Sequence, residues 1–291
     1  MNQDVLIVGC GDIGRRVACL LQQQGRRVSG VVSSAESAAR LEAAGIRPLL
    51  INLNDPGALH ELPSKGALVY YLAAPPGGGF TDPKVRNFCA AIRAQEAPRQ
   101  LIYIRTSGVY GDCGEAVVTE ETPVNPQTSR AKRRYDAEQT LSRWSRELGV
   151  PLVILRVTGI YGPGRLPLFR LQEGHPLLRL EESRPTNRIH ADDLAQVCVA
   201  AEQAADGEVF NVSDGHPTSM TEYFLTLADL CGLPHPPLIS LAEARQVMAP
   251  LMLSYLTESR RMDNSRMLTR LGVRLRYPIL TEGLRASLSR E

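Results

Sequence analysis

Gly9, Gly11 and Gly14 stand in Gly9-Cys10-Gly11-Asp12-Ile13-Gly14, directly after the apolar run Val5 to Val8 and ahead of a helical pattern. In such a turn the first glycine permits a tight bend and the second lets backbone approach a pyrophosphate. The third allows close helix packing. The segment Gly9, Gly11, Asp12, Ile13 and Gly14 is therefore the expected cofactor-binding turn for a dinucleotide. A second segment, Arg105-Thr106-Ser107-Gly108-Val109-Tyr110-Gly111, follows another apolar run and reads as the lip of a sheet where redox chemistry would occur. Nowhere does a Tyr stand four positions before a Lys.

The acid expected about 20 residues beyond the glycines, where it would hold a ribose 2′-hydroxyl, is missing. Ser33 and Ser34 stand there instead, which favours NADP over NAD and makes Ser33 a cofactor contact; Arg15 and Arg40 are phosphate partners or solvated helix residues. Asn52 falls where an adenine contact would form, or else starts a turn before Asp55-Pro56.

The elements that position these residues follow from periodicity. Val5 to Val8, Val28 to Val32, Leu49 to Ile51, Leu68 to Leu72 and Leu101 to Ile104 read as buried strands. Helical patterns fall at Ile13 to Leu21, Ala35 to Ala44 (with Ser33 and Glu36 as a capping box), 56–62 and 84–95. A polar helix over 129–148, a strand at 151–156, a helix at 192–204 and a strand at 208–212 complete an alternating α/β pattern, which predicts a Rossmann-type doubly wound parallel sheet. Residues 163–186 are rich in Pro, Gly and Arg, and 214–291 hold helical stretches without regular strands. The expected organisation is a dinucleotide-binding domain over 1–162 and 187–213, with 163–186 and 214–291 as a smaller substrate lobe.

Composition narrows the partners. Of the 291 residues 43% are hydrophobic, ample for a core, and a formal charge of +2 gives no reason to propose nucleic acid or a membrane surface. Six scattered cysteines without a CxxC pair, and no apolar run of signal or membrane-spanning length, point to a cytoplasmic protein with reduced thiols. Neither metal-ligand spacing nor a Gly-x-Ser-x-Gly elbow is present. A small-molecule substrate is the default.

From Thr106 to Gly111 the chain resembles the extended short-chain dehydrogenase/reductase family, the nucleotide-sugar epimerases and dehydratases. Leu155-Arg156 leading to Ile160-Tyr161-Gly162-Pro163-Gly164 is similar to that family's turn after strand six. Arg188-Ile189-His190-Ala191-Asp192-Asp193-Leu194-Ala195 is similar to its next helix start, and Phe210-Asn211-Val212-Ser213 to its last strand. The resemblance implies that Thr106, with Ser107 beside it, hydrogen-bonds the substrate oxygen, and that Ala73 and Ala74 border the cofactor. It implies further a Tyr that carries the proton, with a Lys four residues on that lowers its pKa.

In the matching helix, aligning Ala137-Glu138 with the family's pattern puts Arg130 on the Tyr position and Arg134 on the Lys position. A guanidinium stays protonated, so neither is an ordinary general acid; Arg134 remains a ribose or phosphate contact. Tyr135 is rotated by about 100° from the Lys position. Tyr110 and Tyr161 lie nearer the expected pocket and are the candidate phenols, the resemblance giving both a packing role as the alternative. Arg165 and Arg188 suit an anionic substrate, and Gly77 to Gly79 read either as a mobile loop beside the nicotinamide or as a flexible surface loop. The helix at 129–148 is one of two that pair in homodimers of the family.

Two functions follow. The first is an NAD(P)-dependent oxidoreductase or epimerase/dehydratase-like enzyme in which hydride passes to or from nicotinamide C4, acting on a small molecule such as a nucleotide sugar. The alternative is a non-catalytic NAD(P)-binding sensor or regulatory protein.

Overall fold

The computed structural model describes residues 4–290. Strands Val5–Val8 (β1), Val28–Val32 (β2), Arg47–Leu50 (β3), Leu68–Tyr71 (β4), Gln100–Thr106 (β5), Leu152–Val157 (β6) and Val209–Val212 (β7) form one sheet. Its order is β7-β6-β5-β4-β1-β2-β3 and every pairing is parallel. The helices are Asp12–Gln23 (α1), Ala35–Ala43 (α2), Pro83–Ala91 (α3), Ser129–Leu148 (α4), Leu168–Gln172 (α5), Ala191–Ala200 (α6), Met220–Cys231 (α7), Leu241–Val247 (α8), Pro250–Thr257 (α9), Ser265–Arg270 (α10) and Leu280–Leu288 (α11).

The continuous apolar strands are explained by helices on both faces of the sheet. Val5 and Ile7 of β1 pack with Val17 and Leu21 of α1 and Val197 of α6. Leu6 and Val8 point the other way, into a cluster with Phe88 of α3 and Leu141 and Trp144 of α4. An ion pair between Arg16 and Asp192 ties α1 to α6. The order in which strands are added reverses between β1 and β4, and open sheets of this kind bind ligands in the crevice beyond the carboxyl ends of the strands at such a point. The turn at Gly9 and the segment at Ala73 flank it.

Several boundaries differ from the sequence reading. Ser34, not Ser33, caps α2 by accepting from Ser37 N at 3.3 Å. The helix expected at 56–62 is only a 3₁₀ turn, Ala58–Glu61, because Asn52 and Asp55 draw the preceding backbone into side-chain-capped turns. Asp82 starts α3, which stops at Ala91. The tail contains short ladders: Arg261–Met262 pairs with Val117–Val118, and Leu238–Ile239 with Leu177–Leu178.

Two apolar clusters lie apart from the sheet, one around Tyr161, Leu171, Tyr223, Leu227 and Leu284, the other around Leu178, Ala244 and Leu256. The tail is not wholly separate. Met267 of α10 and Val273 join the core of the sheet itself. Helix α10 packs against β7, so part of 214–291 belongs with the dinucleotide-binding fold.

Candidate active site

The three glycines of the β1–α1 turn meet three different constraints. Gly9 has φ +85°, and a Cβ there would lie 2.5 Å from the backbone of Ala73. A Cβ on Gly14 would sit 3.1 Å from Ile7 and 3.2 Å from Cys10 Sγ, so close helix packing needs its absence. At Gly11 a Cβ would meet nothing within 4 Å. That glycine faces open space, where only a ligand would require a bare backbone.

Among the helices that flank the sheet, side chains cap α2, α3, α4 and α6, whereas α1 has no side-chain cap. Its free amides and the positive end of its dipole suit an anion. The turn thus fits a dinucleotide's pyrophosphate on its own geometry.

Two strand spacings away, about 10 Å across the sheet, β5 ends at Thr106. Thr106 Oγ1 accepts from Gly108 N at 3.2 Å, capping the short turn Ser107–Tyr110. This leaves its hydroxyl proton free to be donated. Thr106, Ser107 and Gly108 form one wall of a cavity of about 460 Å³, whose other walls are α4, the turn after β6, Arg188, and the tail residues Tyr255, Glu258 and Arg260.

The cavity is rich in arginine, and most of that charge is matched. Arg105 and Arg156 both pair with the buried Glu138, Arg156 at 3.0 Å. Burial and the charge of Arg156 pull Arg105 down to about 9. Arg260 pairs with Glu258 at 3.1 Å and Arg165 with Asp12 at 3.2 Å. Arg188 donates to Thr218 O at 2.9 Å and Thr218 Oγ1 at 2.7 Å, with its guanidinium 4.5 Å from the Tyr223 ring centre.

Arg130 and Arg134, one turn apart on α4, line the same cavity. Arg130 lies 4.1 Å from the Tyr255 ring centre. Arg130 Nη1 and Arg134 Nε are buried without a hydrogen-bond partner among the described residues. Burial, and to a lesser degree the charge of Arg130, lower the pKa of Arg134.

The structure brings Thr106, Ser107, Arg134, Arg165 and Arg188 to this cavity and Gly9, Gly11, Asp12, Ile13, Gly14 and Ala73 to the neighbouring turn. Ala74, exposed, follows Ala73, and its carbonyl accepts from Lys84 Nζ. The two candidate phenols fall elsewhere. Tyr110 is buried with its hydroxyl donating to Asn211 Oδ1 at 2.8 Å and accepting from Arg156 Nη1 at 2.6 Å. Tyr161 points into the apolar cluster against Gly283, and burial raises its pKa. Packing claims both, so neither lines the cavity.

Asn52 Oδ1 accepts from Asn54 N at 3.0 Å and so forms the turn before Asp55. Ser33 is exposed at the end of β2, and Arg40 is paired with Glu36 at 2.7 Å. Arg133 donates to the carbonyls of Pro76 and Gly79, so the glycine loop at 77–79 is pinned to α4.

Tyr255, Glu258 and Arg260 were not foreseen from the sequence. Asn187 holds that stretch in place: its amide donates to Arg260 O at 2.7 Å and accepts from Met262 N at 2.9 Å. Only Asn187's position, next to Arg188, carried any signal.

A seven-stranded parallel Rossmann sheet with an open glycine turn defines a dinucleotide-binding α/β protein. Comparison with known proteins makes this specific: residues 5–213 match the model of the NAD dependent epimerase/dehydratase family, and the chain belongs to that family. It is an NAD(P)-binding protein of oxidoreductase/epimerase-like type. It is 28% identical over 244 residues to protein YeeZ of Escherichia coli K12, covering 80% of this chain and 85% of that one. A functionally unknown conserved protein from Silicibacter pomeroyi superposes with a TM-score of 0.83 at 34% identity, covering 99% of this chain and 98% of that one. The UDP-glucose 4-epimerase of Thermotoga maritima, solved with UDP-glucose, shares the fold with a TM-score of 0.80 at 19% identity, covering 99% and 98%.

Proposed function

We propose that the protein is an NAD(P)-dependent oxidoreductase of epimerase/dehydratase type whose reaction takes place in the cavity beside Thr106. The observation that carries this reading is the pairing of an uncapped, open glycine turn with a strand-end hydroxyl free to donate, both at the carboxyl edge of one sheet. Gly9 to Gly14 and Ala73 would hold the cofactor, with Arg165 at the boundary between turn and cavity. When bound, the nicotinamide supplies hydride exchange at its C4.

Thr106 orients the substrate oxygen by donating its hydroxyl proton. Tyr255 supplies the phenol at the cavity and carries the proton, the part first assigned to Tyr110 and Tyr161. NADP is the preferred form, because the end of β2 offers Ser33 and no carboxylate to repel a 2′-phosphate. Residues 163–186 and the helices around Tyr223 and Leu284 form the substrate lobe. Six free thiols suit the reducing cytoplasm, and among the described residues no helix is long and apolar enough to cross a membrane.

The test is turnover across a panel of nucleotide sugars and small carbonyl acids, read as NADPH consumption for a net reduction and as product formation for a reaction that returns its hydride to the substrate, wild type against Thr106→Ala. Turnover should fall roughly 10²-fold or more while NADPH affinity stays within about twofold. Equal turnover in the variant overturns the role of Thr106. A second reading, a non-catalytic sensor, is favoured by the arginines standing where the family places its proton relay. It requires oxidised and reduced cofactor to bind with different affinities and to shift an association, with no turnover on any substrate.

A further inference from the structure

Of the six arginines that line the cavity, two have neither a carboxylate nor the neutral polar partners that Arg188 has. Arg105, Arg165 and Arg260 each have a carboxylate, and Arg188 has carbonyl, hydroxyl and aromatic partners. Among the described residues Arg130 and Arg134 have no anionic partner, and each keeps a buried, unbonded N–H: Nη1 and Nε respectively. An unsatisfied buried donor is costly, more so when charged, and two like charges one helical turn apart repel. An oxyanion between them relieves both costs. Tyr255 stacks on the face of Arg130 at 4.1 Å and so leaves only the guanidinium edge free, the geometry that accepts a carboxylate or phosphate in two parallel hydrogen bonds.

We propose that Arg130 and Arg134 form an oxyanion clamp for the substrate, so that the compound turned over carries a carboxylate or phosphate near the carbon whose oxygen Thr106 holds. The clamp rests on the reading of this cavity as a reaction site and names its substrate class: an anionic carbonyl or hydroxy compound. It also moves Arg134 from the cofactor to the substrate. The two arginines sit with Thr106 and Ser107 at the end of β5, while the pyrophosphate turn is at β1, with β4 between them.

The test is titration calorimetry of the full chain with inorganic phosphate and with malonate at constant ionic strength, with and without saturating NADPH. Anion binding should persist with NADPH present and weaken at least tenfold in Arg130→Gln/Arg134→Gln. NADPH affinity in that variant should stay within about twofold, and Arg143→Gln, an exposed change on the same helix, should alter neither. Tighter malonate marks a carboxylate substrate and tighter phosphate a phosphoryl substrate; both support the clamp. Unchanged anion binding in the double variant overturns it, as does displacement of the anion by NADPH.

A measurement on the unaltered protein guards against a variant that does not fold. Phenylglyoxal modification followed by peptide mapping should show phosphate protecting Arg130 and Arg134 and sparing Arg143 from protection. Equal rates at Arg130 and Arg134 with and without phosphate overturn the proposal. Anion binding without any NADPH binding leaves the clamp standing and removes the oxidoreductase reading; NADPH binding without anion binding does the reverse.

Discussion

Tyr110 shows how a side chain beside a reactive segment can be spent on structure. Its hydroxyl sits between Arg156 Nη1 and Asn211 Oδ1, and Arg156 continues to Glu138 and Arg105, a buried chain of donors and acceptors under the cavity floor. Tyr110→Phe strands a buried donor on Arg156 and an acceptor on Asn211, so urea denaturation should show a loss of about 1–3 kcal/mol, with turnover of the folded variant unchanged. Lost turnover at unchanged stability would return Tyr110 to the chemistry. The spacing of Thr106, Ser107 and the glycines was enough to place them, because each is fixed by its own strand end. The phenols were not legible in this way: where Tyr110 and Tyr161 point depends on Asn211 and Gly283, more than 100 residues distant. Likewise Arg130 and Arg134 were visible as a departure, but that neither has an ion-pair partner among the described residues emerges only from the cavity they share with Tyr255 and Arg260.

At the scale of elements, the seven sheet strands and α4 were legible because apolar runs and caps are local signals; α4 spans Ser129–Leu148, as read from the sequence. Short connections were not, since Asx turns at Asn52 and Asp55 overrode a helical pattern. Helix α6 carries a pH dependence in its cap. His190 is fully buried, and its Nδ1 accepts from Asp192 N at 3.1 Å, which puts the ring proton on Nε2 facing Ser287 Oγ at 3.3 Å. Protonation would destroy the cap acceptor and set a cation at a helix N-terminus. Burial first, then the charges of Arg16, Arg290 and Arg276 against the opposing Asp192, lower His190 to about 4.

The unfolded imidazole titrates near its ordinary value of about 6.5, so between there and pH 4 the unfolded chain binds the extra proton. Stability therefore falls as pH drops through that window, by on the order of 2–3 kcal/mol. His190→Asn keeps a cap acceptor without titrating, and denaturation at pH 7 and pH 4.5 should show a smaller loss than wild type. Comparing the two proteins removes the contribution of Asp214, raised by burial to about 7, which slopes the other way. Equal pH dependence in both proteins would contradict a neutral buried cap.

For the whole molecule, the strand order places the glycine turn at β1, Ala73 beyond β4 and Thr106 at β5 along one edge. The tail completes the site from two sides, closing the cavity through Tyr255 to Arg260 and extending the main core through Met267 and Val273. That double role explains why a boundary drawn from composition at residue 214 matches neither function nor packing fully. The outward side of α4 carries Lys132, Arg143 and Arg146, a charged surface for the helix first considered for pairing between copies.

The central claim is that the fold presents a working dinucleotide site, and Gly11 isolates it. A Cβ there meets no protein atom within 4 Å, so the added methyl of Gly11→Ala is aimed at the space a ligand would fill and not at a neighbouring side chain. The measurement is titration calorimetry of NADPH and NADH into wild type and Gly11→Ala, alongside thermal denaturation. The account predicts binding to wild type, tighter for NADPH, at least tenfold weaker in Gly11→Ala, with the two proteins melting together. Equal binding in the variant, or no binding of either cofactor to wild type, would contradict it.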